Sequence, residues 1–207
     1  MGRSCSLSVS SACIWPPDDC PAHDRDAQPI DDSRGQTLAA VLVPLFLIDD
    51  GEEPHVVFTK RRTDLRRHAG EISFPGGRQD PEDADLSSTA LREAEEEIGL
   101  PRAQVSLIGE LAPVSTFVTN YVIHPFVGLV PAGLVWEASP SEVDAVLELP
   151  LEALRAGRTR TRMERRGIAF ETDAYVVDGH LIWGATARIL ESLLKRAGEL
   201  PLPRRAP

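Results

Sequence analysis

The order of apolar and polar positions divides the chain into a polar start, a patterned body and a short polar tail. Thr37 to Ile48 is almost continuously apolar and predicts a buried strand, closed by the turn-forming Asp49-Asp50-Gly51. His55 to Thr59 brings Val-Val-Phe-Thr just after that turn, so the two runs predict a hairpin. Arg61 to Pro75 has no clean period and predicts a loop with a short strand at Ile72 to Phe74, after which Pro75-Gly76-Gly77 breaks the chain. Leu86 to Ile98 predicts a helix, with Gly99 at its C-cap and Pro101 just beyond. Val105 to Leu111 and Val122 to Val130 predict strands, and Ser141 to Leu154 a helix or turn carrying Glu142. Gly167 to Tyr175 and Leu181 to Trp183 predict two strands joined at Asp178-Gly179. Thr186 to Arg196 predicts an amphipathic closing helix with Ile189, Leu190, Leu193 and Leu194 inward. Strands and helices mixed without strict alternation predict an α/β fold in which helices pack on a mixed sheet. Residues 1–35, rich in Ser, Pro and Asp, read as a disordered extension, 36–197 as one folded domain, and 198–207 as a disordered tail.

Charge and cysteine usage remove several function classes. The 207 residues carry 32 acidic against 22 basic side chains, a formal charge of −10. Such a surface repels nucleic acid and anionic membranes, so neither is an expected partner. A small anionic substrate stays open, because a metal ion or local arginines reverse the field nearby. Cys5, Cys13 and Cys20 all lie near the start, so no disulfide framework or Cys-based zinc site holds the body. The longest apolar stretch, Leu38 to Ile48, contains Pro44 and is too short to span a bilayer. A cytoplasmic location is the expectation.

The chemistry concentrates in the helix Leu86 to Ile98. Glu93, Glu96 and Glu97 stand at i, i+3 and i+4, so their carboxylates share one face, with Ala90, Leu91, Ala94 and Ile98 opposite and inward. Like charges at that spacing cost a helix a few tenths of a kcal/mol each, and a divalent cation offsets the cost. A solvated acidic face is the alternative. Glycines before the helix permit close approach of backbone to a ligand, and Arg92 stands one turn before Glu96, placed to orient it.

Arg92-Glu93-Ala94-Glu95-Glu96-Glu97-Ile98-Gly99-Leu100 resembles the second half of the Nudix box, Arg-Glu-U-x-Glu-Glu-x-Gly-U with U aliphatic. The first half departs. The position fourteen residues before the arginine, where the box has a glycine, is Arg78, and the nearest glycine is Gly77, so the loop is one residue longer; the mid-loop Glu falls near Ala84, with Glu82, Asp83 and Asp85 around it. Upstream, Thr59-Lys60-Arg61, Arg66, Gly70 and Phe74-Pro75-Gly76-Gly77 resemble the segment that precedes the box in Nudix coenzyme A pyrophosphatases, with Arg62 in place of a small residue. Ser141-Glu142-Val143 through Leu149-Pro150-Leu151, and Ile182 to Ala187, are similar to that subgroup's later segments.

The resemblance implies an α/β/α sandwich with a mixed sheet and a loop-helix-loop catalytic motif. It implies metal-dependent hydrolysis of the diphosphate bond of coenzyme A or acyl-CoA, giving 3′,5′-ADP and 4′-phosphopantetheine. Glu93 and Glu97, with Glu96 as a third, would be catalytic residues holding Mg²⁺ or Mn²⁺. Arg92 and Gly99 would support the box. Arg61, Arg66 and less readily Arg67 suit substrate phosphates, because guanidinium pairs with phosphate bidentately, while Gly76 and Gly77 admit substrate to the backbone. A diphosphatase of ADP-ribose or NADH is the alternative within the fold; a nucleotide-sensing module without catalysis is the alternative of another class. The expected assembly is a monomer or homodimer. The run Arg158, Arg160, Arg162, Arg165 and Arg166 reads as an exposed hairpin, His68 and His124 as structural, and Trp183 as core. Tyr121 and Phe117 suit either a pocket wall or the core.

Overall fold

Strand β1 (Thr37–Ile48) organises the fold because both of its faces are covered. In the computed structural model, which describes residues 35–48, 53–64, 70–116, 120–165 and 168–199, Ala40, Leu42 and Phe46 of β1 pack with the first helix, and Val41, Val43 and Leu45 pack on the opposite side. Burial on both faces is why this strand reads as an unbroken apolar run. Residues 1–34, the turn Asp49-Asp50-Gly51, Arg66, Arg67, His68, Phe117, Arg166 and residues 200–207 lie outside the described residues.

The predicted hairpin is present: β2 (Glu53–Arg61) pairs antiparallel with β1, Leu45 opposite Val56 and Ile48 opposite Glu53. After β3 (Ile72–Ser73), β4 (Gly76–Arg78) continues beside β1, with Ala40 opposite Gly77. That short strand corrects the expected chain break: glycine is a poor strand former alone, but the open edge of β1 supplies its hydrogen bonds. Helix α1 (Leu86–Ile98) has the predicted bounds. A 3-10 turn (Arg102–Gln104) leads to β5 (Ser106–Glu110), β6 (Val114–Ser115) and β7 (Tyr121–Leu129). β7 lies parallel to β1 from Thr37–Tyr121 to Leu45–Leu129, which makes the sheet mixed.

Ser141 to Leu154 is mainly not a helix. Glu142 sits in a turn, β8 (Val143–Pro150) follows, and only then comes the short α2 (Leu151–Ala156). β8 pairs along β2, with Val146 facing one core and Leu147 and Leu149 the other, so it shows neither strand alternation nor one apolar helix face. A second, three-stranded sheet has β9 (Arg158–Arg165) at an edge, β10 (Ile168–Val177) in the middle and β11 (His180–Trp183) beyond. Arg158, Arg160 and Arg162 are exposed there, as the hairpin reading expected. Helix α3 (Gly184–Glu199) runs past the expected end of the body, so Gly198 is helical instead of part of a tail.

Helix α1 covers one face of the eight-stranded sheet through Ala90, Ala94 and Ile98. α3 covers the other through Ile189, Leu190, Leu193 and Leu194, joined by Tyr175 and Ile182 of the second sheet and Leu154 of α2. The expected α/β/α layering is therefore present. At the contact that seats α1's neighbour β4, a Cβ on Gly76 would stand 2.4 Å from the Ala40 carbonyl oxygen and 2.5 Å from the Val41 Cα. Backbone cannot step aside as a side-chain tip can. Gly76→Ala is expected to destabilise the fold by about 1–3 kcal/mol, a fall in Tm of roughly 3–10 °C by calorimetry.

Candidate active site

The helix that carries the acidic run is fixed at both ends. Asp85 caps its start, Oδ1 accepting from the Ser88 N–H at 2.7 Å, and Gly99 closes it in the left-handed region at φ 68°. The segment before β8 completes the C-terminus: Glu137 N–H donates to the Ile98 carbonyl at 3.1 Å and Ser139 N–H to the Glu97 carbonyl at 2.8 Å.

The three glutamates do not share one environment. Glu97, which the spacing puts on the face opposite Ala90, Leu91, Ala94 and Ile98, is only 5% exposed, against the alternative of a solvated acidic face. Its Oε2 accepts the Gly76 N–H at 3.3 Å. Glu93 is half-buried with its carboxylate against Gly77, where a Cβ would fall 2.5 Å from that group. Glu96 turns outward, its side chain 59% exposed, and accepts from Arg92 Nη1 at 3.1 Å. The orienting contact expected of Arg92 is thus present, and the same guanidinium also reaches Glu93, Nη2 to Oε1 at 3.0 Å.

Burial pushes the Glu97 carboxyl up to about 7, against the opposing pull of the Gly76 N–H and the Arg61 guanidinium; Glu93 and Glu142 raise it further. Burial also raises Glu93, with Arg92 opposing. Arg61 stands beside Glu97 and Glu142, its Nη1 3.7 Å from Glu97 Oε1 and its Nη2 3.6 Å from Glu142 Oε2. The β2–β8 register shifts between Lys60 and Arg61, next to this contact, and bulges of that kind re-aim side chains beside functional sites.

Among the described residues no three His, Cys, Asp or Glu side chains gather tightly enough to enclose an ion unaided. A magnesium-type cation needs no such cage, since one or two carboxylates, water and substrate phosphates suffice. Two carboxylates packed over the side-chain-free residues Gly76 and Gly77 meet that requirement.

The family sequence model described as the NUDIX domain matches residues 38–169. This chain belongs to the Nudix family. Its Nudix relatives include an uncharacterized Nudix hydrolase, NudL, of Cronobacter sakazakii, 43% identical over 171 residues, 82% of this chain and 87% of that protein. A NudL of Salmonella paratyphi B is 40% identical over 172 residues, 82% and 88% of the two chains. Among solved Nudix structures, RenU of M. smegmatis aligns over 82% of this chain and 91% of its own with a TM-score of 0.58 at 16% identity. The NUDIX domain of Shewanella oneidensis NrtR, complexed with ADP ribose, aligns over 83% and 93% with a TM-score of 0.53 at 17% identity. The chain is accordingly a Nudix hydrolase, in a family that takes small pyrophosphate-containing substrates and generally uses divalent metal ions.

Within the Nudix box the longer loop finds its acid at Asp83 in place of Ala84. Arg92 Nε and Nη2 donate to the two Asp83 oxygens at 3.0 and 3.1 Å, and the Thr89 hydroxyl donates to the same carboxylate. Arg92 holds the Asp83 carboxyl far below the usual range. Asp83 stands six residues after Gly77, the interval the box expects between its glycine and its acid, so the extra residue lies between Asp83 and the helix. Counting forward from Gly77 finds it; counting back from Arg92 does not.

Glu142 is the other residue the sequence did not assign to the site. Its only signal was the likeness of Ser141-Glu142-Val143 to a later segment of the subgroup. Among the remaining expectations, His124 is tied to Glu110, Nδ1 to Oε1 at 2.8 Å, a structural role. Trp183 is half-buried near Phe170, ring centroids 6.4 Å apart, rather than fully in the core. Arg66 and Phe117 lie outside the described residues.

The raised Glu97 carboxyl fixes a sign for stability. Its folded value, about 7, lies above the ordinary 4.5, so its contribution is fully present below about 4.5 and is lost as pH rises through about 7. The Tm of the metal-free protein is expected to fall between about pH 5 and about pH 8 and Glu97→Gln to flatten that slope, with Mn²⁺ raising the wild-type Tm at the upper pH. Thermal melts across pH check all three.

Proposed function

We propose that this Nudix hydrolase cleaves the diphosphate bond of coenzyme A or an acyl-CoA, releasing 3′,5′-ADP and 4′-phosphopantetheine. The observation that carries the reading is the Glu93–Glu97 pair over Gly76-Gly77, with Arg61 of the upstream segment at its side. The coenzyme A assignment draws on the spacing Thr59-x-Arg61 to Phe74-Pro75-Gly76-Gly77, which brings those residues to the same place.

In this reading Glu93 and Glu97 hold Mg²⁺ or Mn²⁺, and a bound ion of that kind neutralises charge on the diphosphate and polarises the attacking water. Arg61 exchanges its loose contacts with Glu97 and Glu142 for a substrate phosphate, which offers a guanidinium two oxygens at once. The bare backbone of Gly76 and Gly77 lets the diphosphate approach. Arg92 keeps the loop and helix in register through Asp83. Glu96 serves mainly as the partner of Arg92, and the general base belongs to the glutamates around the site.

The crystallised complex of the NrtR NUDIX domain with ADP ribose favours testing a second substrate class in the same assay. The full chain is incubated with coenzyme A, ADP-ribose and NADH, each with Mg²⁺ or Mn²⁺, and products are identified by mass spectrometry. The expected result is 3′,5′-ADP from coenzyme A as the fastest reaction. Glu97→Gln and Glu93→Gln should each lower kcat by at least about a hundredfold, and Glu96→Gln by less than about tenfold. AMP from ADP-ribose or NADH with coenzyme A untouched would move the assignment to that class. No turnover of any of the three, with nucleotide still bound, would favour the sensing alternative.

A further inference from the structure

Arg62 departs from the small residue that the resembled segment carries at its place, and its contacts show what the longer side chain does. Its Nε and Nη2 donate to the two oxygens of Asp64 at 2.9 and 2.7 Å, a fork that locks the guanidinium. The remaining nitrogen, Nη1, donates to the Pro140 carbonyl, 78 residues away in sequence. The Arg62 backbone N–H donates to the Glu142 carbonyl at 3.0 Å. One residue therefore grips both ends of the turn Pro140–Glu142.

The same turn is anchored from the other side. Ser139 N–H donates to the Glu97 carbonyl at 2.8 Å, and Ser139 accepts from the N–H groups of Glu142 at 3.1 Å and Val143 at 2.9 Å. It is strung between the end of α1 and Arg62, and Glu142 is the acid it presents. That carboxylate shares the Arg61 guanidinium with Glu97, Nη2 standing 3.6 Å from Glu142 Oε2 and Nη1 3.7 Å from Glu97 Oε1.

We propose that Arg62 is a positioning residue: by holding the 140–142 turn it keeps the Glu142 carboxylate on Arg61 beside Glu97, as a further negative charge at the border of the cation site and not as one of its ligands. The inference rests on the reading of Glu93 and Glu97 as the cation site. Asp64 holds the Arg62 fork in its orientation, and Arg62 itself acts only through the turn. Its side chain is 41% exposed, so its loss leaves the core packing intact.

The test measures Mn²⁺ affinity of the full chain without substrate, by electron paramagnetic resonance, beside thermal melts. Arg62→Ala is expected to weaken Mn²⁺ binding several-fold, as displacing one carboxylate charge near the ion does, while Tm changes by no more than a few degrees. Glu142→Gln should weaken binding by a similar factor, and adding Arg62→Ala to it should cost nothing more, because both act through one carboxylate. Arg62→Lys, which can reach the Pro140 carbonyl but cannot fork onto Asp64, should recover part of the loss. Asp64→Ala should cause a smaller loss in the same direction, which keeps the inference testable if Arg62→Ala is poorly folded. Unchanged Mn²⁺ affinity in Arg62→Ala, or an equal further loss in the Glu142→Gln background, overturns the role of Arg62 while the cation site stands. Wild-type Mn²⁺ affinity in Glu97→Gln would overturn the cation site itself, and the role of Arg62 with it.

Discussion

A helix carrying acids is packed against two consecutive glycines of a short strand, and the site depends on that closeness. The Glu93 carboxylate occupies the space a Cβ on Gly77 would fill, and Glu97 reaches the Gly76 N–H. The strand could not lie there without glycine, because at Gly76 the nearest atoms are the backbone of β1. β1 in turn is buried on both faces, so helix, glycine strand and central strand form one block. The carboxylates inherit its rigidity, as a preorganised site requires.

That placement costs electrostatic energy. Two carboxylates are drawn out of water beside each other, and Glu97 holds its proton to about 7 as a result. The surrounding cations moderate this without cancelling it. Arg92 is committed to Asp83 and Glu96 as well as Glu93, and Arg61 stands 3.6–3.7 Å from its two acids, beyond hydrogen-bond length. The residual negative field is what a divalent cation would relieve, and metal affinity should rise with pH as Glu97 gives up its proton. The exposed clamp of Arg62 and Asp64 works at the other border of the site, where a turn has no core of its own to fix it.

Local rules made α1 legible in full: Asp85 and Gly99 mark its ends, and the apolar positions Ala90, Ala94 and Ile98 mark its buried side. The same rules singled out Glu97 but not its burial, because the spacing puts it opposite the apolar stripe until the strand beside it is known. β4 and β8 escaped for a related reason. Each owes its form to a partner far along the chain, β4 to the edge of β1 and β8 to β2, and short or two-sided strands carry no period of their own. Glu142 and the reach of Arg62 to Pro140 are long-range contacts of that kind, invisible to spacing. The interval from Gly77 to Asp83 was readable, and only the choice of starting point hid it.

Strand β9 ends the second sheet with Arg158, Arg160 and Arg162 in the open. Cross-strand, Arg160 faces Asp173 and Arg162 faces Glu171 on β10, so these two cations have an acid on their inner side, while Arg158 faces Tyr175. An incoming strand would meet guanidinium groups instead of an apolar ladder, and would have to strip their water before forming a backbone bond. The charged edge thus guards this sheet against accretion by another strand.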